Sequence, residues 1–163
     1  TLKPAFRPNG TITPANASSI SDGAAALVLT RQSTATQQGL KPLARIVGHA
    51  TYAADMASFP GAPVHAIEKL FAKTGWTTQD VDLFEVNEAF AVVALGAMRA
   101  LDIPHEKMNV HGGACALGHP VGSTGARIIV TLIGALRQRG LKRGVASLCI
   151  GGGEATAIAL ELL

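Results

Sequence analysis

Apolar and polar residues fall in blocks along this chain, and the spacing within each block predicts an element. Residues 63–73 place Val64, Ile67, Leu70 and Phe71 on one helical face and stop at Gly75, the three-and-four spacing of an amphipathic helix. Residues 81–86, Val-Asp-Leu-Phe-Glu-Val, alternate at period two and predict a strand. Residues 88–101 are Ala-rich and almost continuously apolar, the pattern of a buried helix. Residues 128–136 form the apolar body of another helix, and Arg137 and Arg139 suit the negative end of its dipole. Residues 145–150 and 155–163 read as adjacent strands joined by Gly151-Gly152-Gly153, a tight glycine turn. Upstream, residues 44–50 predict a strand, Leu27-Val28-Leu29 a short buried one, and residues 31–38 a polar helix ending at Gly39. The first twenty residues, with Pro4, Pro8, Asn9-Gly10 and Pro14, are loop-like.

Strands that alternate with helices predict a layered α/β domain with its sheet buried between helices. No repeat or linker divides the 163 residues, so a single domain is expected. Composition narrows the class. With 48% hydrophobic and 15% charged residues the chain cannot be disordered, and with 4% aromatics its core is aliphatic. The net charge of +3 comes from scattered residues without a basic run, which argues against nucleic acid as a partner. No apolar run reaches the roughly 18 residues of a membrane span, and no signal peptide is expected. Two cysteines, Cys115 and Cys149, make a poor disulfide framework, so a reduced, cytoplasmic setting is expected. No metal-ligand spacing is present.

Three segments carry candidate chemistry: Asn87-Glu88-Ala89-Phe90, Gly118-His119-Pro120 and Cys149-Ile150-Gly151-Gly152-Gly153. Each falls where a strand ends or a helix begins, the place where sites gather in layered α/β folds. Each also has an ordinary structural reading. Asn87 suits a helix N-cap, His119 a hydrogen-bonded loop residue, Cys149 a small buried hydrophobe, and the glycines a hairpin turn. Together they offer a thiol, an imidazole and a carboxamide beside glycine-rich backbone whose N–H groups can hold an oxyanion. An imidazole can deprotonate a nucleophile, and a thiolate can act as base toward a carbon acid.

At these residues the sequence resembles the thiolase family. The family carries an Asn-Glu-Ala-Phe motif, a Gly-His-Pro loop inside a Gly-Gly-Ala…Gly-Ala-Arg signature, and a terminal Cys-x-Gly-Gly-Gly. They appear here in order at residues 87–90, 112–127 and 149–153. Thr13-Pro14-Ala15-Asn16-Ala17-Ser18 and Asp22-Gly23-Ala24-Ala25 are similar to the stretch that enters the family's second half. The resemblance covers essentially the whole chain and implies one C-terminal thiolase domain over residues 1–163. The implied fold is a βαβαβαββ half with a mixed five-stranded sheet and helices on both faces.

The resemblance also implies acyl-CoA chemistry: thiolysis of 3-ketoacyl-CoA by free CoA, or Claisen condensation of two acyl-CoA molecules. Coenzyme A is then a substrate, and no cofactor is implied. Cys149 matches the cysteine that moves the α-proton, and His119 the histidine that activates the nucleophile. Asn87 matches the residue that holds an oxyanion-hole water, and Gly151 an N–H donor of a second hole. Ser18 matches a contact to the pantetheine arm, while Phe6, Ala89 and Phe90 match pocket-wall positions. Phe59 falls in a variable loop where its bulk restricts acyl length. His111 is expected to be structural and Cys115 to pack.

The resemblance implies that the family's acyl-accepting cysteine has no counterpart here, because it belongs to the family's N-terminal half, whereas this chain is expected to match the C-terminal one. The chain alone is therefore expected to be inactive, with the N-terminal domain as its partner, an exposed apolar face and a homo-oligomeric assembly. A half-subunit of a hetero-oligomer, or a non-catalytic acyl-CoA-binding domain, are the alternatives. Ketoacyl synthases share the fold but have His or Asn where Cys149 stands. For Cys149 to serve as a base near neutral pH, its thiol must titrate below the ordinary value of about 8.5.

Overall fold

A computed structural model describes residues 1–163. Four strands form one mixed sheet: β1 (Ala44–Ala53), β2 (Leu83–Val86), β3 (Arg143–Cys149) and β4 (Glu154–Leu162), in the spatial order β1-β4-β3-β2. β2 and β3 run parallel, whereas β3-β4 and β1-β4 pair antiparallel, with an irregularity in β1 between Ile46 and Gly48. The helices are α1 (Gln32–Gln37), α2 (Ala62–Thr74), α3 (Ala91–Ala100), α4 (Ala114–Leu117) and α5 (Thr124–Arg139).

Strand periodicity sorts the core into two layers. On one face, Ile67 and Leu70 of α2 and Val93 and Ala97 of α3 pack with Phe84, Val86, Val145 and Ala157. On the other, Ile128, Leu132 and Leu136 of α5 pack with Leu83, Ala146 and Leu160. Leu83 and Phe84 thus face opposite layers, as do Val145 and Ala146. Full burial of each large aliphatic side chain contributes about 1.5–3 kcal/mol. This is the expected layered α/β architecture with helices on both faces of the sheet.

The strand count differs from expectation: the sheet has four strands, not five. Leu27-Val28-Leu29 makes no ladder, and Val28 is 96% exposed. Three apolar residues signal a demand for burial but do not supply the partner strand, and no edge of this sheet meets them. Beside β2, a fifth position is reduced to one parallel bridge between Phe84 and Met108. β2 is buried on both faces, because helices cover both sides of the sheet as expected. The Ala-rich helix begins at Ala91, three residues later than predicted, since Phe90 is still extended at φ −137°. The segment between β2 and α3, residues 87–90, carries the first candidate motif.

Candidate active site

Asn87 follows β2 directly and is 1% exposed. Its backbone N–H donates to Ser147 O at 2.9 Å, so the parallel pairing of β2 with β3 continues past the strand end. Two residues beyond Ser147, Cys149 closes β3 at 8% exposure. The carboxamide and the thiol therefore sit at the same end of two neighbouring parallel strands.

His119 arrives from a different part of the chain. Its backbone N–H donates to Ser19 O at 2.8 Å, and it forms a parallel bridge with Ile20. Gly118 before it has φ +88°, and a Cβ there would overlap the Ser21 hydroxyl, so the turn that delivers the imidazole accepts only glycine without strain. Asn87 Nδ2 then lies 3.4 Å from His119 Nε2. The other ring nitrogen, Nδ1, lies 2.7 Å from Thr124 Oγ1. The Thr124 hydroxyl donates to Pro120 O at 3.0 Å. Its oxygen is thus left to accept from Nδ1–H, which puts the lone pair on Nε2, toward Asn87. Burial, and next the nearby Arg127 guanidinium, hold the imidazole below its ordinary pKa. Neutral and with Nε2 unprotonated, the ring is in the form a general base requires.

Asn87 Oδ1 is buried without a hydrogen-bond partner in the chain. A buried orphan acceptor is costly, so this oxygen is primed to take a donor from outside the chain. Cys149 departs from the sequence-based expectation. Burial pushes its thiol above, not below, the ordinary thiol value, with a backbone hydrogen bond opposing only in part. In the chain by itself no cation offsets the desolvation of the thiolate, and the thiol stays protonated at neutral pH. Gly151 sits in the exposed turn after β3 at φ +64°, and its N–H takes no acceptor from the chain.

The residues expected to line the pocket gather around Phe90. The Phe6 ring meets it edge-on at 5.7 Å between centroids, and Phe59 lies tilted at 6.1 Å. Ser18 joins the same group. Its backbone N–H (3.1 Å) and hydroxyl (2.9 Å) both donate to Ala89 O, leaving the hydroxyl lone pairs free to accept. Residues 16–20 thus run from the Asn-Glu-Ala-Phe segment to His119, bridging Ala17 to Phe90 and Ile20 to His119. His111 is exposed and takes no part. Cys115 is half-buried, its thiol raised by burial and by Glu88. No group of three or more His, Cys, Asp and Glu side chains is arranged to hold a metal ion.

Sequence reasoning did not single out Thr124 or Glu85, and it named Glu88 and Arg127 only as motif members without a role. Thr124 sits five residues after His119 at the first position of a helix, a spacing that offered a signal. Glu85, 2% exposed in the middle of β2, was visible as a carboxylate in an otherwise apolar strand. Arg127 Nη1 lies 3.6 Å from it.

The thiolase C-terminal domain model matches residues 40–162, and the thiolase N-terminal domain model matches residues 1–33. The chain belongs to the thiolase family. It is 56% identical over 162 residues to a probable acetyl-CoA acetyltransferase of Dictyostelium discoideum, covering 99% of this chain and 39% of that protein. It is 49% identical to a cytosolic acetyl-CoA acetyltransferase of Mus musculus, covering 98% of this chain and 41% of the other. The acetyl-CoA acetyltransferase of Bacillus anthracis superposes with a TM-score of 0.96 at 49% identity, over 99% of this chain and 41% of that one. Human mitochondrial 3-ketoacyl-CoA thiolase in complex with CoA gives 0.92 at 41% identity, over 100% and 41%. The chain thus spans about two fifths of the length of the relatives it matches. No helix is long and apolar enough to cross a membrane.

Proposed function

We propose that this chain is the C-terminal portion of an acyl-CoA acyltransferase that cleaves 3-ketoacyl-CoA with free CoA, or joins two acyl-CoA molecules by Claisen condensation. The observation that carries the reading is the convergence of a neutral His119, its Nε2 lone pair toward Asn87, with Cys149 at one end of two parallel strands. In this reading His119 takes the proton of a nucleophilic thiol supplied by an N-terminal thiolase domain. Cys149 takes or returns the α-proton of the second acyl-CoA. Asn87 holds a water through its side chain, and Gly151 N–H donates to a developing oxyanion. Ser18, Phe6, Ala89 and Phe90 contact the pantetheine arm and acyl group, and Phe59 limits acyl length.

In this reading residues 40–162 form the C-terminal domain and residues 1–33 belong with the N-terminal domain, whose nucleophile-bearing remainder is the partner, in a homo-oligomer, with CoA as substrate and no resident cofactor. A cytoplasmic setting is supported by two unpaired cysteines and by the mouse relative named as cytosolic. The test joins this chain to a nucleophile-bearing N-terminal thiolase domain and measures cleavage of acetoacetyl-CoA. C149A should lower turnover about 10²–10⁴-fold with CoA binding little changed, the range of a lost general acid–base. Unchanged turnover in C149A, or robust CoA-dependent cleavage by the 163 residues alone, overturns the reading. CoA binding with no turnover in any combination would make the chain an acyl-CoA-binding domain instead.

A further inference from the structure

Two separate stitches hold the Asn87 segment to the His119 loop. One is the run of residues 16–20 described above. The other is a single carboxylate. Glu88 Oε1 accepts from Asn109 Nδ2 at 3.0 Å, and Glu88 Oε2 accepts from the Cys115 backbone N–H at 3.1 Å. Asn109, 8% exposed and left-handed at φ +46°, is itself clamped to β2. Its Oδ1 accepts from Val86 N–H and its Nδ2 donates to Val86 O, both at 2.9 Å. The carboxylate therefore spans from the end of β2, next to Asn87, to the start of α4, four residues before His119. Gly113 lies directly beneath it, and a Cβ at that position would overlap the carboxyl group. The φ of Gly113 is −114°, which any residue adopts, so the glycine is there for space and not for conformation.

We infer that Glu88 is a positioning residue that fixes the distance between Asn87 and His119 by bridging Asn109 to the Cys115 backbone. The inference rests on the acyltransferase reading for its kinetic consequence but not for its structural one. Only a carboxylate serves here. The two groups facing Glu88 are both donors, and Asn109 cannot turn its carboxamide over without losing both bonds to Val86. A glutamine would accept from one donor and oppose the other with its own N–H.

E88Q and G113A attack the bridge from opposite sides, the second without altering any charge or hydrogen-bonding group. The chain is joined to a nucleophile-bearing N-terminal thiolase domain, and turnover is divided by the acyl-enzyme burst so that only acylatable sites are counted. Each variant should lower kcat about ten- to a hundred-fold, the cost of a misplacement near 1 Å, with KM close to wild type. The midpoint of the pH profile should not move, since Glu88 acts through position. The double variant should be no worse than the poorer single one. In the 163-residue chain, the ¹⁵N resonances of the His119 ring should shift in both variants and stay in place in L132A, a destabilised control in the other core layer. Turnover per site within two-fold of wild type, losses that multiply in the double variant, or an unmoved His119 ring each overturn the assignment. Should the wild-type protein show no acyl transfer, the function fails while the ring resonances still decide the role of Glu88.

Discussion

Replacing Glu85 with glutamine should make the difference in stability between variant and parent depend steeply on pH. Glu85 is 2% exposed in β2, and burial raises its pKa from 4.5 to about 7, despite the attraction of Arg127 and helped by the negative charge of Glu88. Between pH 4.5 and 7 the folded chain binds this proton more tightly than the unfolded chain does. Stability is therefore fully present below pH 4.5 and is lost as pH rises through 7. A shift of some 2.5 units at 1.36 kcal/mol each amounts to about 3 kcal/mol. E85Q imitates the protonated form and has nothing to titrate, so its stability relative to the parent should rise by about 3 kcal/mol between pH 4.5 and 8. Losing the pairing with Arg127 does not reduce that change, because the raised pKa already contains the attraction. Other titrating groups are shared by both proteins and largely cancel. Urea unfolding of both at four pH values in this range measures it. A stability difference constant to within about 0.5 kcal/mol would refute the argument, and with it the view that Glu85 is ionised at a desolvation cost.

Three further outcomes are expected. In the 163-residue chain, alkylation of Cys149 by iodoacetamide should have its midpoint above the ordinary thiol value of about 8.5, and fall when a nucleophile-bearing N-terminal domain is present; a midpoint at or below 8.5 in the chain alone contradicts the burial argument. Leu132→Ala, at a fully buried position against Leu83 and Ala146, should cost about 2–5 kcal/mol in chemical unfolding, whereas Val130→Ala on the exposed side of α5 should cost under about 1 kcal/mol. Gly118→Ala should destabilise by about 1–3 kcal/mol, since it needs both a left-handed alanine and the space of the Ser21 hydroxyl. Gly61→Ala, with open space around it and φ −87°, should be neutral or gain about 0.4–1 kcal/mol; equal effects at the two glycines would sink the comparison.

Most of the fold was legible because its elements carry their own period. The helical face of Val64, Ile67 and Leu70 names a buried side, and the apolar run through Val145 and Ala146 names a strand buried on both faces; neither needs knowledge of the partner. Leu27-Val28-Leu29 failed for the complementary reason, since a short apolar run specifies burial without specifying what covers it. Among the candidate site residues, Asn87, His119 and Cys149 stood out because their motifs resemble the family's and fall where a strand ends or a helix begins. The structure brings Asn87 to His119 and aligns Asn87 with the end of β3. The roles of Thr124, Glu88 and Asn109 were missed because they depend on which donor faces which acceptor, and linear spacing does not encode that. Asn109 reads as an ordinary turn residue until its clamp on Val86 is seen.

The two titrating groups at the candidate site are shifted in opposite directions by one cause. Burial lowers the pKa of the His119 imidazole and raises that of the Cys149 thiol, so both rest uncharged near neutral pH. A neutral imidazole with its lone pair on Nε2 is ready to accept a proton. A protonated thiol is ready to give one, but it cannot take one until something stabilises its thiolate. Nothing in the chain does this: only burial and one backbone hydrogen bond act on Cys149, while the Arg127 guanidinium acts on His119 and Glu85. A protonated Cys149 is thus built into these 163 residues, and under the proposed acyl transfer its use as a base calls for a charge that arrives with the substrate or with a partner domain. Comparing Cys149 alkylation with and without acyl-CoA, and with and without the N-terminal domain, separates those two sources. A thiol midpoint that responds to neither would remove Cys149 from the role of base.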